Sequence, residues 1–314
     1  MIIVKVATNK NRDFNRSVFN FFDFRQLFGH LTFLLMVASV ISAETNPAVI
    51  EEDPLLGEVA NADRLFSIAD REQDLMDAIS RPEGQLIDED TLLKEAQSII
   101  SLYEGYLADY PEDATALLLY SKFLMIVGRP YEAGMALLRL DEARPNIPVV
   151  KQQLGNLAAE EGDYLAAITW LREAIRLAPL EPVYRYQKGI LLDTFREQYI
   201  ESGQMSREEL DELMLTAFTE ASELAPNNRD LKARLAEAYY DLGNPDWEAA
   251  LRLWEDLAKH PLSETEDQVL SLHLARVHTE LNQLDKARKY LKRVTHPALE
   301  HSRRNLMAKV DEKE

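Results

Sequence analysis

The sequence predicts an all-α solenoid of antiparallel helix pairs. Three observations carry that expectation: prolines recur with a period near 34 residues, small residues keep the same phase, and apolar residues between them fall at helical spacing. Pro111, Pro145, Pro179, Pro226 and Pro261 are separated by 34, 34, 47 and 35 residues, and Pro297 follows after 36. Ser121, Gly155 and Gly189 lie 34 apart, each ten residues after a proline of the series, and Ala236 lies ten after Pro226. Gly128, Gly162 and Gly243 follow seven residues after Ser121, Gly155 and Ala236.

Each mark has a physical reason. A small residue lets the two helices of a pair approach closely. The glycines at 128, 162 and 243 are expected to end the first helix of a pair, where a left-handed residue is needed. Proline stops the second helix because it lacks an N–H and clashes with the preceding turn. Between the marks, Leu117, Tyr120, Leu124, Leu137 and Leu140 keep helical spacing.

These marks resemble the tetratricopeptide-repeat family. The best copy, 148–181, holds Leu154-Gly155, Gly162-Asp163-Tyr164, Ala167, Leu171, Ala174 and Pro179. A copy at 229–262 holds Leu235-Ala236, Tyr239, Gly243, Ala249-Ala250, Trp254 and Pro261. Those at 114–147 and 268–297 keep Tyr120-Ser121, Ala133 and Pro145, and Leu274-Ala275, Ala287 and Leu291. The resemblance implies a right-handed superhelical solenoid that binds proteins rather than an enzyme.

The copy beginning near Pro182 departs from the pattern, with Arg196 where the turn glycine belongs and extra residues at 197–211. Its first helix is expected to run on to about Gly203, and Ser206-Arg207-Glu208-Glu209 reads as a capping box opening the second. Both helices should then be overlong and project past the stack. Residues 58–111 read as a degenerate first repeat with helices at Asn61–Ile79 and 91–109. Repeats fill 112–297, and 298–314 form a capping helix over the last apolar face.

The first 43 residues read as an address. Lys5, Lys10, Arg12, Arg16 and Arg25 precede an apolar run, Leu31 to Ile41, and Ala43 offers a small residue for cleavage. A helix over 28–43 would rise about 24 Å, less than the roughly 30 Å bilayer core. Export to a periplasmic or secreted location is therefore expected, with an uncleaved inner-membrane anchor as the alternative. The basic region is long for a signal, and a start near Val18 would leave Arg25 as its basic element. Residues 44–57 are acidic, contain prolines and are expected to form a loose linker.

The whole chain carries 35 basic and 54 acidic residues, net −19. Removing residues 1–43 takes away five basic and two acidic residues, leaving 30 and 52 and net −22. Such an excess repels phosphate backbones and anionic lipid, so nucleic acid is not an expected partner. With no cysteine, disulfides, thiolate metal sites and thiol nucleophiles are excluded. No HExxH and no phosphate-binding loop is present. His273 and His278, like His296 and His301, are five apart, a poor helical pairing for a shared metal. No cofactor and no catalytic residue is expected.

In the family resembled, the first helix of each repeat lines a concave groove. Transferring that geometry selects Leu118, Lys122 and Met125; Gln152, Asn156 and Ala159; Tyr186, Ile190 and Asp193; Ala233, Glu237 and Tyr240; and Leu272 and Arg276. A peptide or helix of a partner protein would pack on Leu118, Met125 and Tyr186 and hydrogen-bond to Gln152 and Asn156. Its basic residues would face Asp193, Glu237 and Asp241. Self-association through exposed helix faces, giving a homo-oligomer, is the alternative. Trp170 and Trp254 fall at core-like phase, whereas Trp247 opens a helix and should be more exposed.

Overall fold

A computed structural model describes residues 54–79, 88–260 and 263–314. The expected signal and Pro261 lie outside these residues. The described residues form fourteen α-helices and one 3-10 turn, with no strand among them. No described helix is long and apolar enough to cross a membrane. The chain divides into two compact units, one ending at Val150 and the other beginning at Lys151.

The first unit is built on α1 (Pro54–Ile79), α2 (Glu89–Asp109), α3 (Ala114–Ile126) and α4 (Pro130–Ala143). Helix α1 begins at Pro54, so the last four residues of the stretch expected to be loose are helical; the rest of that stretch is outside the described residues. Asp88 caps α2 by accepting from the Thr91 N–H at 2.9 Å, and Asp113 caps α3 by accepting from Ala116 at 3.0 Å. Tyr103, Tyr106, Leu117, Phe123, Leu124 and Leu140 are buried between the helices. Burying these large side chains drives the packing, because most helical stability in a folded chain comes from tertiary burial of an apolar face.

The second unit contains α5 (Pro148–Glu160), α6 (Tyr164–Leu177), α7 (Pro182–Thr194), α8 (Arg196–Glu201) and α9 (Arg207–Leu224). It continues with α10 (Arg229–Ala238), α11 (Trp247–Leu257), α12 (Glu264–Glu280), α13 (Leu284–Leu291) and α14 (Glu300–Glu312). Neighbours in sequence pack on one another from α6 to α14, and α14 also packs on α12. Leu272, Ala275, Ala287, Leu291 and Val294 form an apolar cluster to which α14 contributes Val310.

The repeat marks do the work assigned to them in most places. At Gly155 a Cβ would stand 3.2 Å from the Ala167 carbonyl and 3.3 Å from Leu171. Gly128 and Gly162 have φ of 78° and 83°, just past the ends of α3 and α5. Gly243 departs from the expectation. Helix α10 ends earlier, at Ala238, and Gly243 has no positive φ. It instead allows a close approach, its N–H donating to Asp211 Oδ2 at 2.6 Å. After α12 the left-handed position falls to Asn282, with φ 58°.

The enlarged repeat also differs from the expectation. Its first helix stops at Thr194, Phe195 turns the chain (φ −101°, ψ 23°), and α8 follows as a separate short helix. The left-handed turn comes at Gly203, φ 70°. Helix α8 does not project. Tyr199 is fully buried and its hydroxyl donates to the Tyr164 carbonyl at 3.1 Å. The capping box is present: Ser206 N–H donates to Glu209 Oε2 at 2.8 Å, and Glu209 N–H donates to Ser206 Oγ at 3.2 Å.

Candidate functional site

The positions selected for binding recur on successive first helices. In the first unit, Leu118, Lys122 and Met125 share one face of α3 by their i, i+4, i+7 spacing. Lys122 is exposed, and Leu118 and Met125 are half-buried. Beneath this region Glu72 is buried and accepts from the Tyr103 hydroxyl at 3.0 Å. Burial raises its carboxyl pKa, while the Tyr103 hydrogen bond and the Lys122 charge oppose that rise.

In the second unit, Asn156, Ala159, Tyr186, Ile190, Asp193, Ala233 and Glu237 are half-buried and Arg276 is exposed. Gln152, Tyr240 and Leu272 are buried. Gln152 is thus not available to a peptide backbone as expected; its Oε1 accepts from Gln153 at 3.2 Å.

Asp193 lies in an ion network rather than an open acidic wall. Arg234 of α10 reaches its Oδ2 at 2.8 Å, and Arg196 of α8 its Oδ1 at 2.9 Å. Arg196 also donates to Asp211 at 3.0 Å and to the Asp241 carbonyl at 2.6 Å. Arg207 joins the same two groups, at 3.1 Å and 2.7 Å. The basic residues expected from a partner are therefore supplied to Asp193 by this chain. The break at Phe195 is what brings Arg196 back toward Asp193, three residues earlier. The Asp241 carboxyl is raised, by burial first and then by Asp193, against the arginines around it.

The second cluster joins α10, α11 and α12. Trp254 Nε1 donates to the Tyr240 hydroxyl. His273 stacks on Trp254 with ring centroids 4.1 Å apart, and its Nε2 lies 3.8 Å from Glu237. Arg276 sits over the Tyr240 ring at 4.6 Å, and Trp247 lies 5.1 Å from it. Burial, reinforced by Arg276, pushes His273 down to about 3, so the ring is neutral at pH 7. Trp254 is core, Trp247 half-buried, and Trp170 half-buried beneath the Lys151 ammonium at 5.0 Å.

The structure thus brings Asp193, Glu237, Tyr240 and Arg276 into two linked clusters of the second unit. Arg196, Arg234, Asp211, His273 and Trp254 hold them there and were not among the expected site residues. Arg196 carried a signal in the sequence, as the residue replacing a turn glycine. Among the described residues no group of three His, Cys, Asp or Glu side chains is placed to hold a metal ion.

Comparison with known proteins adds a family match and distant structural likenesses. A family model described as tetratricopeptide repeat matches residues 150–179. No curated protein sequence matches the chain. Among solved structures, PilW, titled a widely conserved type IV pilus biogenesis factor, is similar at 12% identity and TM-score 0.48, over 73% of this chain and 92% of that one. YrrB, titled a TPR protein with an unusual peptide-binding site, is similar at 15% identity and TM-score 0.47, over 61% and 90%. MamA from Desulfovibrio magneticus RS-1 is similar at 20% identity and TM-score 0.45, over 58% and 92%. The matched stretch coincides with the α5–α6 hairpin, which carries Gly155, Gly162, Ala167 and Pro179, and residues 150–179 are a tetratricopeptide repeat.

Proposed function

We propose that this chain is a non-catalytic protein-interaction scaffold of the bacterial envelope, holding a peptide or helix of a partner on its first-helix faces. The observation that carries the reading is the alignment of Ile190, Glu237 and Arg276 at one phase of α7, α10 and α12. Those three helices are tied together by the Asp193–Arg234 ion pair and the Arg276–Tyr240 stack. A surface so fixed is preorganised, which lowers the ordering cost of docking. Asn156 on α5 extends the same phase, and Leu118, Lys122 and Met125 repeat it on α3. The basic-then-apolar order of residues 1–43 supports export.

The test is crosslinking of the chain in its own envelope extract beside a variant carrying N156R, I190E and R276E. Tyr240 is left intact because it is buried against Trp254. A partner crosslinked by the parent chain and lost from the variant supports the groove. A partner kept by both places docking elsewhere, and recovery of this chain alone favours self-association. N-terminal sequencing of the exported protein tests cleavage after Ala43; residues 1–43 found intact would favour the anchored form.

A further inference from the structure

The outward face of α4 breaks a pattern that other second helices keep. Ala133, Ala167, Ala250 and Ala287 are fully buried and give α4, α6, α11 and α13 a common phase. The residues two before and two and five after each alanine lie on the opposite side, and all of them are exposed. On α11 these are Glu248, Arg252 and Glu255, and on α13 Asp285, Lys289 and Lys292. On α6 the set has one apolar member, Leu165. On α4 all three are large hydrophobic side chains: Tyr131, Met135 and Leu138, exposed by 73%, 55% and 42%.

A contiguous apolar stripe where equivalent helices carry charge marks an interaction surface. At roughly 200 Å² for a fully exposed side chain of this size, the three offer about 340 Å² on each copy. Stable complexes hide about 800 Å² on each partner, so the stripe suits a weak, reversible contact. The order of residues along it selects what covers it. The stripe continues one turn on at Glu142, which is exposed. A two-fold axis between residues 136 and 137 would lay two copies of α4 antiparallel. Met135 then meets Leu138 of the second copy, and the Tyr131 hydroxyl at one end meets the Glu142 carboxylate at the other. Each contact is made twice, as a closed two-fold interface requires.

We propose that the α4 stripe is a self-association surface on which a second copy of this chain docks antiparallel, forming a weak two-fold dimer. The stripe lies on a second helix and uses no residue of the first-helix groove, so it stands or falls separately from the docking of another protein there. Two copies of net charge −19 repel one another. Salt screens that repulsion and leaves the apolar contact intact. Self-association therefore strengthens as salt rises, the opposite of a contact built on ion pairs.

The test is sedimentation equilibrium of the full chain from about 1 to about 300 μM, at about 0.05 M and about 0.5 M sodium chloride. The mass should rise from that of one copy toward that of two, more steeply at the higher salt. Association should weaken at least tenfold in M135E/L138E, whose sites are exposed, with circular dichroism unchanged. R252E, at the matching position of α11, should stay within twofold of the parent. The chain has no cysteine, so the pairing can be read directly. Oxidation of an equimolar mixture of M135C chains and L138C chains should give mixed disulfide dimers well above the half expected from random pairing. A single-copy mass throughout, equal association by M135E/L138E, weakening by salt, or mixed dimers at or below the random share would each overturn the proposal.

Discussion

The regular hairpin α5–α6 and the enlarged α7–α8–α9 repeat solve one problem in two ways. Both must reverse the chain after a first helix and start a second helix packed against it. In the regular hairpin the backbone does this at once: Gly162 takes φ 83°, and Asp163 caps α6 by accepting from the Ala166 N–H at 2.9 Å. In the enlarged repeat the same pair of devices is delayed, with Gly203 at φ 70° and Ser206 capping α9. The residue in the glycine's place, Arg196, is turned inward, where it binds Asp193, Asp211 and the Asp241 carbonyl. An insertion therefore need not loosen a repeat. Here it exchanges a backbone turn for a buried guanidinium that ties α8 to α7, α9 and the chain beyond α10.

The comparison breaks most severely at Arg196. Arg196→Leu leaves Asp193 and Asp211, with side chains 21% and 14% exposed, short of a partner they share. Removing one member of a buried charge network destabilises by about 3 kcal/mol. Urea denaturation should show that loss. Hydrogen exchange should show α8 opening well below the global transition, while α5 and α6 remain protected. An equal loss of protection in α5 and α6 would mean that the two repeats are not held by different means.

The close helix contacts give the next largest difference. At Gly189 a Cβ would lie 2.7 Å from the Phe218 ring, against 3.2 Å from the nearest atom at Gly155. Phe218 is buried, with the Arg234 guanidinium 4.5 Å from its ring centre and Tyr186 at its edge, so it has little room to retreat. Gly189→Ala should cost about 2 kcal/mol through overpacking. Gly155→Ala should cost less than about 1 kcal/mol, because better helix propensity offsets the milder contact, whereas Gly155→Leu should be severe. Thermal unfolding of the three variants checks the order.

Much of this architecture was legible in the sequence because it rests on residues that act locally. Gly155, Gly162 and Asp163 do their work within one hairpin, and Ser206 with Glu209 within one helical turn. Arg196 was legible only as an exception. Its partners lie up to 45 residues away, and nothing in spacing alone indicates that a guanidinium will reach the Asp241 carbonyl. Gly243 was misread for the same reason, since its role is set by Asp211 on another helix. The candidate groove was legible as a set of phases. Which members face solvent was not: Tyr240 and Gln152 hold groove phases yet are buried by neighbours from other elements.

The turn glycines offer a cleaner comparison. At Gly162 and Gly203 a Cβ would meet nothing within 4 Å, so alanine pays only for the left-handed backbone. Each substitution should cost about 1 kcal/mol, and the two values should agree, because no packing enters either. A distinctly larger cost at Gly203, measured by urea denaturation, would show that the delayed turn carries strain that the regular turn lacks.

The smallest expected difference lies in the caps. Ser206→Ala and Asp163→Ala each remove one acceptor from a helix N-terminus, at a cost of about 0.5 to 1 kcal/mol. They should differ in what surrounds that loss. Ser206 belongs to a reciprocal box, and hydrogen bonds from its backbone N–H and its side chain hold the Glu209 carboxyl below its ordinary value. A carboxylate whose folded pKa is lowered contributes stability that is present above its unfolded value of 4.5 and is lost as pH falls through the lower folded value. Protection of the first turn of α9 should therefore fall on acidification below pH 4.5. Glu209→Gln should remove that dependence while keeping an acceptor for the Ser206 N–H. Hydrogen exchange of the first turns of α6 and α9 in Glu209→Gln and the parent, compared at pH 6 and pH 3.5, measures both. An unchanged pH response in Glu209→Gln would mean that the box contributes nothing beyond the single cap that Asp163 provides.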